Sequence, residues 1–333
     1  MKSVVKFLIF PITFGFGFIL FLFTKKTSNI AYISFRYLFV STNGRVNDFH
    51  SRLISLVKKP KKTTLGSILN LNSEKDIDHI CSEITKNGYF QFDISLEKDK
   101  IDSLENFGRT TPARYVDVNK SSIAYSQEKI LFDPEKIDSP RYQFDVEDVV
   151  QNETVRSIIF DQGFLSIASK YLKCSPILDI VTMWWSKPAN DLGKSQAAQM
   201  YHFDMDRIKF LKFFFYVTDV DTQTGPHCYI ENSHKRLDRA VRKDRRLTDE
   251  ELLAHYPKTA FKEFNGKKGT ILAVDTRGLH KGKALETGER LLFQIQFSNS
   301  LFGAEYAKMK IDNPSTSESE FMQLHARTFQ LFQ

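Results

Sequence analysis

A histidine and an aspartate two residues apart directly precede an aromatic, β-prone segment near the middle of the 333-residue chain. In extended backbone, His202 and Asp204 point to the same face, because side chains alternate with a period of two. The phenylalanine-rich segment from Lys209 to Val217 predicts a buried strand. Turn residues from Asp219 to Gly225 predict a reversal into a second short strand. This region is therefore expected to be β structure that presents an imidazole and a carboxylate side by side.

A third metal-binding side chain lies far downstream. His280 is separated from His202 by so much chain that it must come from a different strand. Two imidazoles and one carboxylate on one face of a metal leave other positions open, which suits a non-haem Fe(II) centre that also binds a cosubstrate and O₂. A structural zinc site would need four ligands, usually including closely spaced cysteines, and the three cysteines of this chain are far apart. The pattern predicts an iron site made by His202, Asp204 and His280.

Two further residues are candidates for holding the cosubstrate. Arg290 begins a strand-like run, RLLFQIQFS, where its guanidinium would hold a dicarboxylate by a two-pronged, charge-assisted contact. Trp184 and Trp185 end a predicted strand that begins at Ile177, so their side chains alternate and one of them points inward. We take Trp185 as the candidate for the cosubstrate pocket, with packing in the core as the alternative for this residue.

Three sequence blocks around these residues resemble the phytanoyl-CoA dioxygenase-like family of Fe(II)/2-oxoglutarate-dependent oxygenases. The blocks are AQMYHFDMD, FFFYVTDVDTQTGPHCYIENSHK and GTILAVDTRGLHKG, and the resemblance extends roughly from Gly88 to Phe302. It implies that His202, Asp204 and His280 bind iron and that Arg290 pairs with the distal carboxylate of 2-oxoglutarate. The implied fold is mainly β with flanking helices, a double-stranded β-helix of the jelly-roll, cupin-like type.

The resemblance implies an enzyme, a non-haem iron 2-oxoglutarate-dependent dioxygenase. Its cofactors would be Fe(II) and the cosubstrate 2-oxoglutarate, with O₂ as oxidant, while the protein supplies ligands and orientation. Related halogenating enzymes lack the carboxylate ligand, so Asp204 favours hydroxylation of a small-molecule or lipid-linked substrate. Two alternatives stay open. One is a metal-binding cupin-like enzyme without 2-oxoglutarate, which would have no use for Arg290, and the other is a catalytically silent binding protein on the same barrel.

The beginning of the chain differs in character from the rest. Residues 4–23 are mostly Phe, Leu, Ile and Val, and as a helix they would span about 30 Å, the thickness of the hydrocarbon core of a bilayer. We predict an N-terminal transmembrane anchor in residues 1–26, retained because no small-residue cleavage site follows it, with a cleaved signal peptide as the alternative. A basic connector, residues 27–62, and an oxygenase domain, residues 63–333, follow. A charged insert of helical character, residues 237–257, lies between the two parts of the chain that carry the ligands. It is expected to be either a lid over the pocket or a solvated surface helix.

The net positive charge of the chain comes from its first 62 residues. Residues 1–62 carry eleven Lys and Arg against Asp48 alone, which is +10, so residues 63–333 sum to −3 because the whole chain carries +7. A slightly acidic body argues against nucleic acid as a partner. Positive residues after an anchor stay cytoplasmic, and unpaired cysteines suit a reducing compartment. We therefore expect a single-pass membrane protein, held at the membrane by its N-terminal helix, with a cytoplasmic catalytic domain.

Overall fold

The computed structural model describes residues 2–61, 65–117, 124–135, 139–188 and 199–333, with side chains described from Leu8 onward. The predicted boundary between residues 62 and 63 lies outside these ranges, and so does Ala198, the first residue of the AQMYHFDMD block.

Ten strands in the described part of the chain form two antiparallel sheets. They are β1 (Tyr89–Ser95), β2 (Arg114–Tyr115), β3 (Arg141–Gln143), β4 (Ile177–Ser186), β5 (Phe210–Tyr216), β6 (His227–Ile230), β7 (Phe261–Phe264), β8 (Thr270–Val274), β9 (His280–Gly282) and β10 (Arg290–Ser298). The larger sheet has the order β1-β8-β5-β10-β4-β3-β2, and the smaller sheet has the order β7-β6-β9. Phe214 and Leu292 of the larger sheet share one buried cluster with Tyr229 and Phe264 of the smaller. The two sheets therefore face each other, and the mainly β, jelly-roll-like fold predicted from the sequence is confirmed.

Helices precede, interrupt and follow the strands, and several of them lie against the larger sheet. They are α1 (Lys2–Thr24), α2 (Asn29–Thr42), α3 (Arg45–Val57), α4 (Glu74–Asn87), α5 (Lys98–Thr110), α6 (Val146–Val149), α7 (Glu153–Ile159), α8 (Gln162–Leu172), α9 (Asp249–Leu253) and α10 (Thr316–Leu324). Ser73, Asn152 and Asp161 are the N-cap residues of α4, α7 and α8.

The aromatic strand β5 separates the helical layer from the interior of the barrel. The Phe164 ring of α8 lies 5.1 Å from the Phe213 ring and 5.4 Å from the Phe215 ring, measured between centroids. Because side chains alternate along a strand, Lys212 and Phe214 point to the other face, into the space between the sheets. One strand thus supplies both the helix-packing surface and part of a cavity wall.

The ends of α4 follow the short-range signals in the sequence. The backbone N–H of Ser73 donates to the Asp76 carboxylate at 3.0 Å in a capping box. The helix ends at Gly88, whose φ is +97°. A Cβ added at Gly88 would lie 2.3 Å from the Tyr229 hydroxyl oxygen, so both the backbone conformation and the available space require glycine. This turn leads the chain directly into β1, at the edge of the larger sheet.

The N-terminal apolar segment is helical, but the predicted transmembrane anchor is not found. No helix in the described part of the chain combines the length and the apolar character needed to cross a membrane. Instead α1 packs against protein, because Phe14 and Phe21 are buried and their ring centroids lie 5.4 and 5.5 Å from that of Phe302. A hydrogen bond of 2.6 Å between the Thr13 and Ser34 hydroxyls joins α1 to α2.

The basic connector forms α2 and α3, and both helices bond to the barrel. The Asn47 amide donates to the Ile208 carbonyl at 3.0 Å, and the Asn299 amide donates to the Ser51 hydroxyl at 3.1 Å. Arg36 forms an ion pair with Asp244 of the charged insert. The basic connector is therefore helical and packs against the rest of the protein.

The charged insert is less helical than predicted. Within residues 237–257 only α9 is an α-helix, and most of the remaining residues form turns and bends. The helix begins late, because the capping box of Thr248 and Glu251 sets its first turn, and Pro257 prevents a longer continuation. Before α9, Leu247 exchanges two backbone hydrogen bonds with Tyr201, of 2.9 and 3.1 Å. The insert is thereby attached to the segment that carries the predicted metal ligands.

Candidate metal centre

Two histidines from distant parts of the chain face each other across an isolated β-bridge. The His202 N–H donates to the His280 carbonyl at 3.0 Å, and the His280 N–H donates to the His202 carbonyl at 2.8 Å. Their ring centroids are 4.3 Å apart. The Asp204 N–H donates to the Thr276 carbonyl at 2.8 Å, which continues the pairing. The backbone therefore brings the third predicted ligand next to the first two.

Each histidine ring is oriented by a backbone carbonyl two residues before it. The Nδ1 of His202 lies 2.9 Å from the Met200 carbonyl oxygen, and the Nδ1 of His280 lies 3.0 Å from that of Gly278. A proton on Nδ1 satisfies these contacts and leaves the lone pair on Nε2 for a metal. Burial, assisted by His280, lowers the pKa of His202 to about 3. The His202 ring is therefore neutral near pH 7, as a metal ligand must be.

The ligand atoms of the three residues converge. The His202 Nε2 lies 3.5 Å from Asp204 Oδ1, and the His280 Nε2 lies 3.4 Å from Asp204 Oδ2. One ligand atom from each residue lies within 4.8 Å of the other two, and no other such cluster of histidine, cysteine and acidic side chains occurs in the described ranges. Two imidazole nitrogens and one carboxylate fit a divalent metal that keeps open positions for other ligands.

A buried lysine holds the carboxylate of this group. Lys212 Nζ donates to Asp204 Oδ2 at 2.6 Å and to Asp206 Oδ2 at 3.2 Å. Burial by itself raises the pKa of Asp204, but the positive charge of Lys212 and the nearby His280 outweigh burial and hold that pKa well below its usual range. Asp204 is thus kept as a carboxylate, the form that binds a metal.

A cavity of about 370 Å³ opens between the two sheets at the metal group. It is lined by residues from both sheets, from the segment after β4 and from the insert. These are Arg141, Ile180, Thr182, Trp184, His202, Asp204, Asp206, Lys212, Phe214, His227, Arg246, His280, Gly282, Arg290, Leu292 and Gln294. Four of the five predicted site residues lie in this wall, and Trp185 does not.

Arg290 presents unsatisfied hydrogen-bond donors to the cavity. Its Nη2 donates to the Ser186 hydroxyl at 3.3 Å, whereas its Nε and Nη1 are buried without a hydrogen-bond partner in the described structure. Burial lowers the pKa of Arg290 to about 10, which still leaves the guanidinium charged near pH 7. A buried cation with two unpaired N–H groups is a site that a carboxylate would satisfy.

The structure places Trp184, and not Trp185, in the cavity wall. Trp185 is fully buried against the helical layer, with its ring stacked on Phe132 at 4.5 Å between centroids and its Nε1 donating to the Gly108 carbonyl at 2.8 Å. The expectation that Trp185 lines the cosubstrate pocket is therefore corrected. The pairing of Trp185 with Leu291 and of Trp184 with Leu292 decides which side chain faces the cavity.

The wall contains other polar residues, of which His227, Lys212, Arg141 and Arg246 have basic side chains. The Nε2 of His227 is buried without a hydrogen-bond partner in the described structure. Lys212 is signalled in the sequence only as a lysine inside an otherwise apolar strand, FLKFFFY. Arg141 comes from the short strand β3, and Arg246 comes from the insert. Neither arginine has a local sequence signal, because long-range pairing brings both of them to the cavity.

The chain matches the family model described as phytanoyl-CoA dioxygenase (PhyH) over residues 85–290. No curated protein matches it significantly. Among solved structures it is similar to EctD from S. alaskensis with 2-oxoglutarate and 5-hydroxyectoine (16% identity, 72% of this chain and 82% of that chain, TM-score 0.47). It is also similar to HygX from Streptomyces hygroscopicus with nickel and 2-oxoglutarate bound (13% identity, 72% and 92%, TM-score 0.45).

The matched region covers more than half of the chain and includes all three metal-binding side chains and Arg290. Enzymes of this family depend on Fe(II) and 2-oxoglutarate and use O₂. The residues present fit these cofactors, since the ligand atoms converge and the buried guanidinium has free donors beside them. The chain belongs to the phytanoyl-CoA dioxygenase (PhyH) family of Fe(II)/2-oxoglutarate-dependent oxygenases.

Proposed function

We propose that this protein is a Fe(II)/2-oxoglutarate-dependent dioxygenase that hydroxylates a small-molecule or lipid-linked substrate. The observation that carries the proposal is that Arg290 lies in the same cavity wall as His202, Asp204 and His280. Burying the Nε and Nη1 donors of Arg290 without partners costs free energy, on the order of 1 kcal/mol or more for each donor. The distal carboxylate of 2-oxoglutarate would accept from both.

The residues of the chain have distinct roles in this function. His202, Asp204 and His280 would hold the metal, with the Nδ1 contacts keeping both rings in place. Arg290 would orient the cosubstrate beside it. When bound, Fe(II) and 2-oxoglutarate supply the oxidation, in which 2-oxoglutarate and O₂ give succinate and CO₂ while one oxygen atom enters a C–H bond of the substrate. Asp204 supports hydroxylation, because a carboxylate occupies the position that halogenating relatives leave to a halide.

Apolar side chains of the cavity support the same chemistry. Ile180, Phe214 and Leu292 line the wall between the metal group and the interior of the sheets. They restrict water around the reacting groups, and a less polar surrounding strengthens the contact between Arg290 and a carboxylate.

Two other functions explain less of the site. A cupin-like enzyme that does not use 2-oxoglutarate would leave the buried donors of Arg290 without a role. A catalytically silent binding protein would have no need for three ligand atoms within 4.8 Å of one another.

The test uses the full-length chain in two steps. First, calorimetry measures 2-oxoglutarate binding with Ni(II) in place of Fe(II), and we expect saturable, metal-dependent binding. Second, the protein with Fe(II), 2-oxoglutarate and O₂ is incubated with pooled metabolite and lipid extracts, while succinate is measured and mass spectrometry searches for a compound that gains one oxygen atom. Absence of 2-oxoglutarate binding would refute the proposal, and a product of different mass change would refute hydroxylation.

We also propose that α1 contacts a membrane surface. Its exposed apolar residues follow helical spacing, Leu8, Ile12, Phe16, Ile19 and Phe23, and form one stripe on the face opposite the packed one. Phe16 is 68% exposed and Phe23 is 81% exposed, which is unusual for such large apolar side chains in water. A helix that lies in the membrane interface would bury this stripe among lipids.

Charge and cysteine chemistry support a cytoplasmic membrane surface. The exposed Lys25 and Lys26 follow the stripe and would attract anionic lipid headgroups. Cys81, Cys174 and Cys228 are all free and buried, as suits a reducing compartment.

Cosedimentation with vesicles tests this contact. Wild-type protein should bind vesicles of mixed phosphatidylglycerol and phosphatidylcholine more than vesicles of phosphatidylcholine alone. The double variant Ile12→Ser with Phe16→Ser should lose binding, whereas Leu324→Ser, which alters an exposed leucine of α10, should not. Equal binding by the double variant, or no binding by the wild type, would count against a membrane role for α1.

A further inference from the structure

The cavity carries more positive than negative charge. Its described lining residues include four cationic side chains and two carboxylates, which are Arg141, Lys212, Arg246 and Arg290 against Asp204 and Asp206. The excess is two positive charges. Fe(II) and the two carboxylates of 2-oxoglutarate cancel each other, so this excess remains when both are bound, and an anionic substrate would reduce it.

Two of the four cations have partners and a third has an assigned ligand. Lys212 is paired with Asp204 and Asp206. The Arg141 guanidinium donates to the Gln143 side chain and lies 4.2 Å from the centroid of the Trp184 ring. Arg290 is assigned to the cosubstrate. Arg246 is the remaining cation, and in the described part of the cavity it has neither an ion-pair partner nor an assigned ligand.

Arg246 is held beside the metal group by the backbone. Its neighbour Leu247 pairs with Tyr201, the residue before the first metal ligand. The Nη1 of Arg246 is buried and has no hydrogen-bond partner in the described structure. The nearby acid Asp244 does not serve it, because Asp244 is engaged by Arg36. The adjacent Arg245 is different, since it is exposed and pairs with Glu251.

A second cavity, of about 260 Å³, adjoins the first at Arg246. Both cavities share His202, Asp204, Asp206 and Arg246 in their walls, whereas Arg290 lines only the first. A molecule that reaches the metal group from the second cavity would pass the free Nη1 of Arg246 while Arg290 remains available to 2-oxoglutarate.

We infer that Arg246 binds an anionic group of the substrate, a carboxylate or a phosphate, where the two cavities meet. The inference rests on the proposed function and adds the substrate class to it. The insert then contributes directly to substrate selection, because Arg246 is a specificity-determining residue and not part of the metal or cosubstrate site.

The experiment uses the full-length chain with Ni(II) and saturating 2-oxoglutarate, so that Arg290 is occupied. Calorimetry measures the binding of inorganic phosphate and, separately, of benzoate to the wild type and to the variants Arg246→Gln, Arg246→Lys and Lys243→Gln. Lys243→Gln removes the same charge from an exposed position of the insert that lines neither cavity. The affinity for 2-oxoglutarate is measured in every variant as evidence of an intact site.

We expect the wild type and Lys243→Gln to bind at least one anion equally well. Arg246→Gln should bind it roughly ten- to a hundredfold more weakly, because a charge-assisted hydrogen bond is lost, and Arg246→Lys should recover part of the affinity. Binding of phosphate alone indicates a phosphorylated substrate, and binding of benzoate alone indicates a carboxylic acid. If 2-oxoglutarate binds the wild type but neither anion does, or if Arg246→Gln binds them unchanged, the inference is wrong. Failure of 2-oxoglutarate to bind the wild type would instead contradict the proposed function.

Discussion

Lys212 Nζ lies 2.6 Å from Asp204 Oδ2, so a buried cation is bonded directly to the carboxylate of the candidate metal site. Asp206 lies on the other side of the same ammonium group, at 3.2 Å. Burial by itself would lower the pKa of Lys212, but the two carboxylates outweigh it and raise that pKa. Lys212 therefore balances negative charge that no metal neutralises in the metal-free protein.

Lys212→Met should destabilise the metal-free protein by about 3 kcal/mol, because breaking a buried ion pair leaves uncompensated charge. Ni(II) should restore part of this loss, since the metal supplies positive charge to the same carboxylate. Urea unfolding with and without Ni(II) measures both effects. Lys267→Met, which breaks the exposed pair with Asp219, should change the free energy of unfolding by less than about 1 kcal/mol. A metal-independent loss in Lys212→Met would contradict this role.

Each of His202→Ala, Asp204→Ala and His280→Ala should abolish turnover by weakening iron binding, because the described residues offer no spare protein ligand in this cluster. Metal content after dialysis against Fe(II) without oxygen checks this directly. His234→Ala serves as the control, since its ring bonds to the Thr85 carbonyl away from the cluster. Full Fe(II) affinity in any two of the three ligand variants would rule out the assignment.

Arg290→Ala should retain the metal but bind 2-oxoglutarate at least tenfold more weakly, because a bidentate, charge-assisted contact is lost. Calorimetry with Ni(II)-loaded protein provides the measurement. Ser186→Ala should have a smaller effect, since it removes only the 3.3 Å contact to Nη2. Unchanged 2-oxoglutarate affinity in Arg290→Ala would place the cosubstrate elsewhere.

Replacement of the two adjacent tryptophans should separate stability from ligand binding. Trp185→Phe removes the hydrogen bond from Nε1 to the buried Gly108 carbonyl, so unfolding should become easier by roughly 1 to 3 kcal/mol while 2-oxoglutarate affinity stays the same. Trp184→Phe changes the cavity wall and should alter ligand affinity more than stability. Urea unfolding and calorimetry on both variants test this. If Trp185→Phe weakened 2-oxoglutarate binding and left stability unchanged, Trp185 would belong to the cosubstrate site.

Interactions between residues close in the sequence determine several features of this protein. The spacing of His202 and Asp204 presents both ligands together because extended backbone repeats every two residues. The capping pair of Ser73 and Asp76 begins α4 because the first N–H groups of a helix need acceptors close by in the chain. Such effects act over a few residues, so the sequence alone predicts them. The roles of the distant His280 and Arg290 follow instead from the resemblance of the sequence to a known family.

Only the tertiary structure decided which side chains complete the cavity and where the first helix packs. The register between β4 and β10 turns Trp184 inward and Trp185 outward, and the pairing of Leu247 with Tyr201 brings Arg246 to the metal group. The apolar pattern of α1 would be the same whether lipid or protein covers the helix. The contact between Phe14 and Phe302 shows that protein covers one of its faces. These outcomes depend on the free energy of contacts between distant segments, which local periodicity does not contain.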